Sequence, residues 1–306
     1  MIIACGMDIG TNSFRLLVAH VAGGRLRPLA HDLVTVRLGE GLASTGYLSS
    51  AAMLRGEAAL ARFVAIMAPY PVHQVRACAT HALRAAANSQ EFLQRVQSLF
   101  GFSLEVLSGA EEGRLALLGA LSALPEEQRC YPLVLVDVGG GSTEVILQAT
   151  AESEPRLITL PLGAVGLSEE FGADLSGMRK KIGTILVPVH DSIAKGAGGG
   201  EKSLLMASGG TATSLAAFAL GLDRYDPQRV QNYTMSQAAL TRLVARLAAY
   251  SPGERNTLPG LAEGRGEIIV AGSLILQEVQ QALASPVLVS DTGLLEGVVL
   301  SGASAG

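Results

Sequence analysis

The chain contains the stretch Met7-Asp-Ile-Gly-Thr-Asn-Ser-Phe-Arg-Leu-Leu17 and repeats its pattern at Val136-Asp-Val-Gly-Gly-Gly-Ser-Thr-Glu-Val-Ile146. With Asp8 placed over Asp137, the aspartate, the first glycine and the serine coincide, and apolar runs flank each glycine turn. This arrangement is typical of a strand, a tight turn and a second strand. Because one supersecondary unit occurs twice, we expect two related halves. A plainer interpretation stays open, in which each glycine run only closes a hairpin, since glycine adopts positive φ easily.

The composition favours a globular protein of two domains in a reducing cytoplasm. The 306 residues are 49% apolar and 16% charged, and domains usually contain about 100 to 150 residues. The net charge of −4 and the lack of a long basic run argue against nucleic-acid or membrane partners. The three cysteines are too widely spaced for a disulfide framework or a CxxC metal site, and the histidines show no metal-ligand spacing.

Periodic apolar residues predict alternating strands and helices in both halves. In the first half, helices are expected at 51–67 and between Ser89 and Gly101, with strands at 72–78 and 103–107. In the second half, strands are expected at 156–160, 204–207 and 286–289, and helices near 174–194, 212–221, 236–249 and 267–284. This alternation predicts an α/β fold.

Two glycine-rich segments are candidates for binding phosphate. The turn after Asp137 has three consecutive glycines, which let backbone N–H groups approach phosphate oxygens without obstruction. A strand follows it, whereas a dinucleotide-binding GxGxxG turn would open a helix. Gly209 and Gly210 stand between a predicted strand and a predicted helix, where a helix N-terminus can take an anion. This glycine pair also fits a close crossing of strand and helix.

Glu112 and Arg84 are the candidates for chemistry. Ser108-Gly-Ala-Glu111 reads as a capping box, which gives Glu111 a structural role. Glu112 follows in the first helical turn and could accept a proton from water, although acidic residues are common there for the helix dipole alone. Arg84 follows a predicted strand closely and would suit phosphate, or simply lie on the surface.

Taken together, the motifs resemble the exopolyphosphatase and guanosine pentaphosphate phosphohydrolase family (Ppx/GppA), in its short two-domain form. That family belongs to the superfamily of actin, sugar kinases and chaperone ATPases. The matching segments are Asp8-Ile-Gly-Thr-Asn-Ser-Phe-Arg15, Thr80-His-Ala-Leu-Arg84 with Asn88, Leu107-Ser-Gly-Ala-Glu-Glu-Gly-Arg114, Asp137-Val-Gly-Gly-Gly-Ser-Thr-Glu144, Ala207-Ser-Gly-Gly-Thr211, Leu258-Pro-Gly-Leu261 and Ser290-Asp-Thr-Gly293. Leu295 and Thr292 depart from the family, where arginine is frequent at both positions.

The resemblance implies two ribonuclease-H-like domains flanking a cleft, at 1–123 and 124–298, with 299–306 packing back on the first. It implies Glu112 as the catalytic base and Glu144 as the acid near the phosphate loop. We expect Arg84 to be a further catalytic residue that holds phosphate oxygens. We expect phosphates to bind Gly139, Gly140, Gly141, Ser142, Thr11, Asn12, Ser13, Arg15, Gly209 and Gly210. We expect Mg²⁺ or another divalent cation to bind through Asp137, Asp8 or Glu144, largely by way of water. The sequence leaves open which carboxylate binds the cation, and Asp8 could instead stabilise its hairpin.

The expected function is hydrolysis of terminal phosphate from inorganic polyphosphate, guanosine pentaphosphate or both. Two alternatives stay open: a kinase of the same superfamily, and a non-catalytic sensor that binds polyphosphate or an alarmone nucleotide. The residues do not decide between the two substrates, although the net charge of −4 favours short polyphosphate chains. A homodimer is expected from the family alone.

Overall fold

The computed structural model describes residues 2–196, 203–262 and 264–304. By the density of its internal contacts the chain divides into two compact units, Met1–Ser122 together with Gly293–Gly306, and Ala123–Thr292. The limits of 1–123 and 124–298 remain a prediction; the contacts assign the whole of the last helix to the first unit. Within the described ranges, no helix is long and apolar enough to cross a membrane.

The first unit is a five-stranded sheet with helices. Its strands are β1 (Ile2–Ile9), β2 (Ser13–Ala22), β3 (Arg25–Thr35), β4 (Gln74–Ala79) and β5 (Glu105–Val106). Its helices are α1 (Leu42–Thr45), α2 (Ser50–Met67), α3 (His81–Ala85), α4 (Ser89–Phe100) and α5 (Gly109–Ser122), with α13 (Leu294–Ser304) from the end of the chain. The sheet order is β3-β2-β1-β4-β5; β1 pairs antiparallel with β2 and parallel with β4.

The second unit has six strands. They are β6 (Leu133–Val138), β7 (Thr143–Gln148), β8 (Arg156–Leu160), β9 (Leu204–Ser208), β10 (Thr234–Met235) and β11 (Val287–Val289). The helices are α6 (Ala164–Phe171), α7 (Leu175–Gly196), α8 (Gly209–Ala219), α9 (Pro227–Val230), α10 (Gln237–Ala248), α11 (Pro252–Arg255) and α12 (Ile269–Leu283). The sheet order is β10-β11-β9-β6-β7-β8; β6 pairs antiparallel with β7 and parallel with β9.

The two sheets repeat one topology, as the aligned glycine turns predicted. In each, the first strand lies between a hairpin meander on one side and two parallel strands on the other, and the second sheet adds β10 as an antiparallel edge strand. Parallel pairing requires a crossover, and each unit provides it with helices between the paired strands. The predicted α/β class is confirmed. Because parallel strands end at one edge of a sheet, the polar residues that follow β6 and β9 share an edge.

Each unit has its own apolar core. In the first, α2 buries Met53, Leu60 and Phe63, three of the residues whose spacing predicted it. Phe14 of β2 and Phe92 of α4 lie in the same core. A buried side chain of this size stabilises the fold by roughly 1.5–3 kcal/mol. The core of the second unit lies between its sheet and α7, α8, α10 and α12.

The last helix, α13, packs on β1 and α5 through glycines. A Cβ at Gly297 would overlap the carbonyl oxygen of Leu115, and one at Gly119 would overlap the carbonyl oxygen of Gly293. The missing side chains therefore let the backbones of α5 and α13 approach each other closely. This packing fixes α5, whose first turn carries Glu112, against the end of the chain.

Two helical Gly→Ala substitutions should have opposite effects on stability, because Gly297 lies where α5 and α13 approach closely and Gly183 has open space beside it. Gly297→Ala is expected to lower stability by about 1–3 kcal/mol, because overpacking forces the two helices apart. Gly183→Ala, in α7, meets no atom within 4 Å of the new Cβ, and should raise stability by about 0.5–1 kcal/mol by removing backbone freedom from the unfolded chain. Calorimetric unfolding of both variants checks this, and equal shifts for the pair would contradict it.

Candidate active site

The turn after β1 directs its carbonyl groups into its own unit. Gly10 donates its N–H to the carbonyl of Ser13 (3.2 Å) and closes the turn. The carbonyl of Thr11 accepts a hydrogen bond from the N–H of Gly39 (2.9 Å), and the carbonyl of Asn12 accepts bonds from the N–H groups of Val36 and Arg37 (3.0 and 2.7 Å). The loop after β3 thereby supports the whole turn.

The turn after β6 has the same construction. Gly139 donates its N–H to the carbonyl of Ser142 (2.9 Å). The carbonyls of Gly139 and Gly140 accept bonds from the N–H groups of Ala164 and Val165 (3.0 and 2.8 Å), in the first turn of α6. A Cβ would lie 2.8 Å from the Ser13 carbonyl oxygen at Gly10 and 2.9 Å from the Ser142 carbonyl oxygen at Gly139. Each turn therefore needs glycine at its first position.

Both turns leave backbone N–H groups available. Within the described part of the chain, the N–H groups of Thr11, Asn12, Gly140, Gly141 and Ser142 make no hydrogen bond. Successive N–H groups with their carbonyls held elsewhere form an anion-binding concavity. The second turn adds two glycines without side chains to obstruct an anion. Both turns thus present unbonded backbone N–H groups, whereas the sequence predicted such a phosphate cradle for the second turn.

The side chains of the first turn are buried, and two of them are hydrogen-bonded to each other. Thr11, Asn12 and Ser13 are all buried. The amide Nδ2 of Asn12 donates to Ser13 Oγ (3.2 Å), so these two side chains orient each other. Their contact with phosphate stays a prediction.

The two turns differ in the charge that flanks them. Asp8 is opposite Arg15 in the register of β1 and β2, and the equivalent positions of β6 and β7 are Asp137 and Glu144. Arg15 donates two hydrogen bonds to Asp8 Oδ2, at 2.6 and 2.8 Å from Nη2 and Nε. Like charges opposite each other in a sheet are destabilising. The second unit thus places two carboxylates at the positions where the first has an ion pair.

The described residues offer oxygen ligands for a divalent cation. In the first unit, Asp8 Oδ1 is buried and accepts no hydrogen bond from the part of the chain described. In the second, a Cβ at Gly209 would overlap Asp137 Oδ1, so glycine keeps space beside this oxygen. Within ranges 2–196, 203–262 and 264–304, no three His, Cys, Asp or Glu residues cluster as a metal site. These ligands fit a hard cation that keeps waters and substrate oxygens, rather than an all-protein cage.

The glycine pair after β9 adjoins the second turn. Ser208 Oγ donates to Asp137 Oδ2 (3.0 Å), and Gly209 begins α8 with φ +79°. The guanidinium of Arg265 lies on Gly210, where a Cβ would overlap it. The structure thus brings together Asp137, Gly209 and Gly210 of the predicted set. It adds Arg265, which no sequence motif marks although it follows the Leu258-Pro-Gly-Leu261 segment closely.

Glu112 and Arg84 lie together in the first unit. Arg84 Nη1 donates to Glu112 Oε2 (3.0 Å) and to the carbonyl of Leu107 (2.7 Å). Glu112 is 9% exposed, which is low for a residue in a first helical turn. Arg84 is therefore not a free surface residue: its guanidinium ties the end of α3 to the start of α5 and holds one carboxylate oxygen.

The predicted capping box at the start of α5 is only half present. Ser108 Oγ accepts the N–H of Glu111 (3.1 Å), as expected. The carboxylate of Glu111 accepts two hydrogen bonds from Arg114 instead of reaching back (2.7 and 2.8 Å). A guanidinium competes better for a carboxylate than a neutral N–H does, and Arg114 holds the pKa of Glu111 below its usual value. The two adjacent acids are thus used differently.

Of the two departures from the family pattern, the one at Leu295 has a local explanation. Leu295 is buried in an apolar cluster with Ala4, Leu17 and Val299, so an arginine at this position would need a polar partner that the cluster does not supply. Thr292 shares a hydrogen bond with Ser290 through their hydroxyls (3.1 Å).

Comparisons with known proteins point to one family. The sequence matches the Ppx/GppA phosphatase family over residues 17–305. Exopolyphosphatase 2 of Mycobacterium tuberculosis is 29% identical over 323 aligned positions, spanning 96% of this chain and 97% of the relative. The crystal structure of the Aquifex aeolicus Ppx/GppA family member matches with TM-score 0.76 and 28% identity, over 99% of this chain and 98% of that one. An exopolyphosphatase structure from Cytophaga hutchinsonii matches with TM-score 0.87 and 26% identity, over 98% of each chain.

The Asp8–Arg15 pair predicts that the first hairpin depends on its arginine. Arg15→Met should lower stability by about 2–3 kcal/mol, because the buried Asp8 carboxylate loses its counter-charge. The Asp8→Asn/Arg15→Met double variant should recover part of this loss, since the remaining amide is neutral. Chemical denaturation of both variants measures the difference; an equal loss in both would contradict the proposed role of the charge.

Proposed function

Because the chain belongs to the Ppx/GppA phosphatase family, we propose that it releases terminal phosphate from inorganic polyphosphate. The observation that carries the proposal is the pair of turns whose carbonyls are held and whose N–H groups are available. Such turns suit the non-bridging oxygens of a phosphate chain. The similarity to Exopolyphosphatase 2 and to the Cytophaga hutchinsonii exopolyphosphatase supports the choice of substrate.

In the proposed reaction, Glu112 acts as the general base. Its carboxylate takes a proton from water, the water oxygen bonds to the terminal phosphorus, and the bridging P–O bond breaks to leave a shortened chain. The Arg84 ion pair orients this carboxylate. No covalent enzyme intermediate is required, because phosphoryl transfer depends mainly on positioning and charge stabilisation.

Positive and dipolar groups offset the charge of the substrate. We assign this role to the N–H groups of Gly140, Gly141 and Ser142, to the N-terminus of α8, and to Arg265 on Gly210. Arg15 already pairs with Asp8, so its predicted contribution to phosphate binding would be shared with that carboxylate.

A divalent cation, proposed to be Mg²⁺, would be held by Asp137, Glu144 or Asp8. When bound, such an ion neutralises charge on phosphate oxygens. Asp137 and Glu144 are opposite each other in the register of β6 and β7, and a cation would relieve the repulsion between carboxylates placed in this way.

Guanosine pentaphosphate is a second proposed substrate, because it also ends in a phosphoric anhydride. The same N–H groups and the same base would serve its terminal phosphate.

The assignment of the base predicts different outcomes for two neighbouring acids. Glu112→Gln should lower the rate of phosphate release by about 10²- to 10⁴-fold, because the amide cannot accept the proton of water. Glu111→Gln is the matched control, since this carboxylate belongs to an ion pair with Arg114, and should change the rate by less than about threefold. Equal activity of the two variants would remove Glu112 from the mechanism.

A substrate panel separates the proposed hydrolase from a kinase and a sensor. With Mg²⁺ present, phosphate should be released from tripolyphosphate, long polyphosphate and guanosine pentaphosphate in water alone, and a chelator should abolish release. Phosphate release is followed for each substrate at equal phosphate concentration. Turnover that requires ATP and an acceptor would indicate a kinase, and binding without release would indicate a sensor.

A further inference from the structure

Arg255 is a buried arginine whose guanidinium bonds to backbone carbonyls. It is 8% exposed, and burial lowers its pKa. Its Nε donates to the carbonyl of Leu247 (2.7 Å), near the end of α10, and its Nη1 donates to the carbonyl of Gly266 (3.0 Å). Burying the charge of a guanidinium costs free energy unless well-placed carbonyl dipoles offset that cost. The buried position of Arg255 therefore needs a physical explanation.

The next residue, Asn256, bonds to the other side of Gly266. Its Oδ1 accepts the N–H of Gly266 (2.9 Å). Arg255 and Asn256 therefore hold both backbone polar atoms of one residue. A Cβ at Gly266 would lie 2.5 Å from the Pro252 carbonyl oxygen and 2.6 Å from Asn256 Oδ1, so the close approach requires glycine. We call this arrangement of Arg255, Asn256 and Gly266 the clamp.

The clamp lies next to Arg265, which directly precedes Gly266 in the chain and whose own backbone is hydrogen-bonded on both sides. The N–H of Arg265 donates to the Ala262 carbonyl (3.0 Å), and its carbonyl accepts bonds from Ile268 and Ile269 (3.1 and 2.9 Å). With Gly266 held as well, the backbone on both sides of Arg265 is fixed. Its guanidinium lies on Gly210, at the N-terminus of α8. The preceding residue, Gly209, lies against the carboxylate of Asp137.

We propose that Arg255 and Asn256 are positioning residues for phosphate binding, acting through Gly266 to hold the Arg265 guanidinium on Gly210. The inference rests on the proposed function, because it takes phosphate oxygens as the ligands of Arg265. An arginine side chain loses considerable rotamer freedom when it binds. A fixed backbone reduces the number of arrangements that must be lost, and such preorganisation appears in affinity for substrate.

The experiment measures kcat and KM for tripolyphosphate with the full chain. Asn256→Ala removes the acceptor for Gly266 N–H and should raise KM by roughly fivefold or more with kcat within about twofold, the pattern for loss of ground-state binding. Asn256→Asp keeps an acceptor at the same place and should restore KM to within about twofold of the parent. Thr257→Ala is a matched control, because within the described residues this exposed hydroxyl bonds only to the neighbouring carbonyl of Glu254 (2.8 Å).

A double-mutant cycle separates positioning from general support of the fold. Arg265→Gln should raise KM, and Asn256→Ala should add nothing to it in the Arg265→Gln background, because the clamp acts through that guanidinium. The inference would be overturned if the two substitutions raised KM by independent factors that multiply in the double variant. It would also be overturned if Asn256→Ala matched the parent. If Asn256→Ala folds poorly by circular dichroism, Asn256→Ser replaces it in the cycle, since its shorter hydroxyl also withdraws the acceptor.

Calorimetric binding of tripolyphosphate by the parent separates the two levels of the argument. A parent protein that neither binds nor hydrolyses tripolyphosphate would refute the proposed function. If the parent both binds and hydrolyses tripolyphosphate, and Asn256→Ala leaves the affinity and KM unchanged, only the proposed role of the clamp would be refuted. The expected result is a weaker affinity for Asn256→Ala and an unchanged one for Thr257→Ala.

Discussion

The hydrogen bond from a glycine N–H to the carbonyl of the serine three residues later is the constraint that organises both halves of this protein. It occurs at Gly10 and at Gly139, and it curls each turn so that the intervening carbonyls meet a supporting segment. In one unit that segment is the loop after β3; in the other it is the first turn of α6. Because the carbonyls are held on one side, the N–H groups are presented on the other, which is the backbone arrangement that suits an anion.

The repeat conserves this backbone and varies the charge around it. The first unit places a guanidinium opposite Asp8, whereas the second places a carboxylate opposite Asp137. An ion pair across a hairpin holds the two strands together, and paired carboxylates do not. The first hairpin thus carries its own counter-charge, whereas the second places two carboxylates at the corresponding positions.

The sequence predicts much of this fold because its signals are local. The strands near 156–160, 204–207 and 286–289 and the helices near 51–67, 236–249 and 267–284 are confirmed within a few residues at their ends. The solved Aquifex aeolicus and Cytophaga hutchinsonii structures share the fold of the chain. The strand β3, the helix α6 and the helix α13 were not predicted. Nothing local in the sequence shows that Gly297 lies against Leu115, since that contact depends on tertiary packing, and Arg265 was missed because no motif marks the residue opposite Gly210.

The candidate base shows how a site divides its electrostatic tasks between neighbours. Glu111 and Glu112 are adjacent, yet Glu111 is paired with Arg114 on the exposed side of α5 while Glu112 is buried and held by Arg84. Two acids side by side repel each other, and separate arginines relieve this repulsion in different directions. Arg84 also bonds to the Leu107 carbonyl, so the carboxylate orientation is tied to the strand edge rather than to the helix alone. The carboxylate of Glu112 is thus held in place by the end of α3 and the segment before α5 as well as by its own helix.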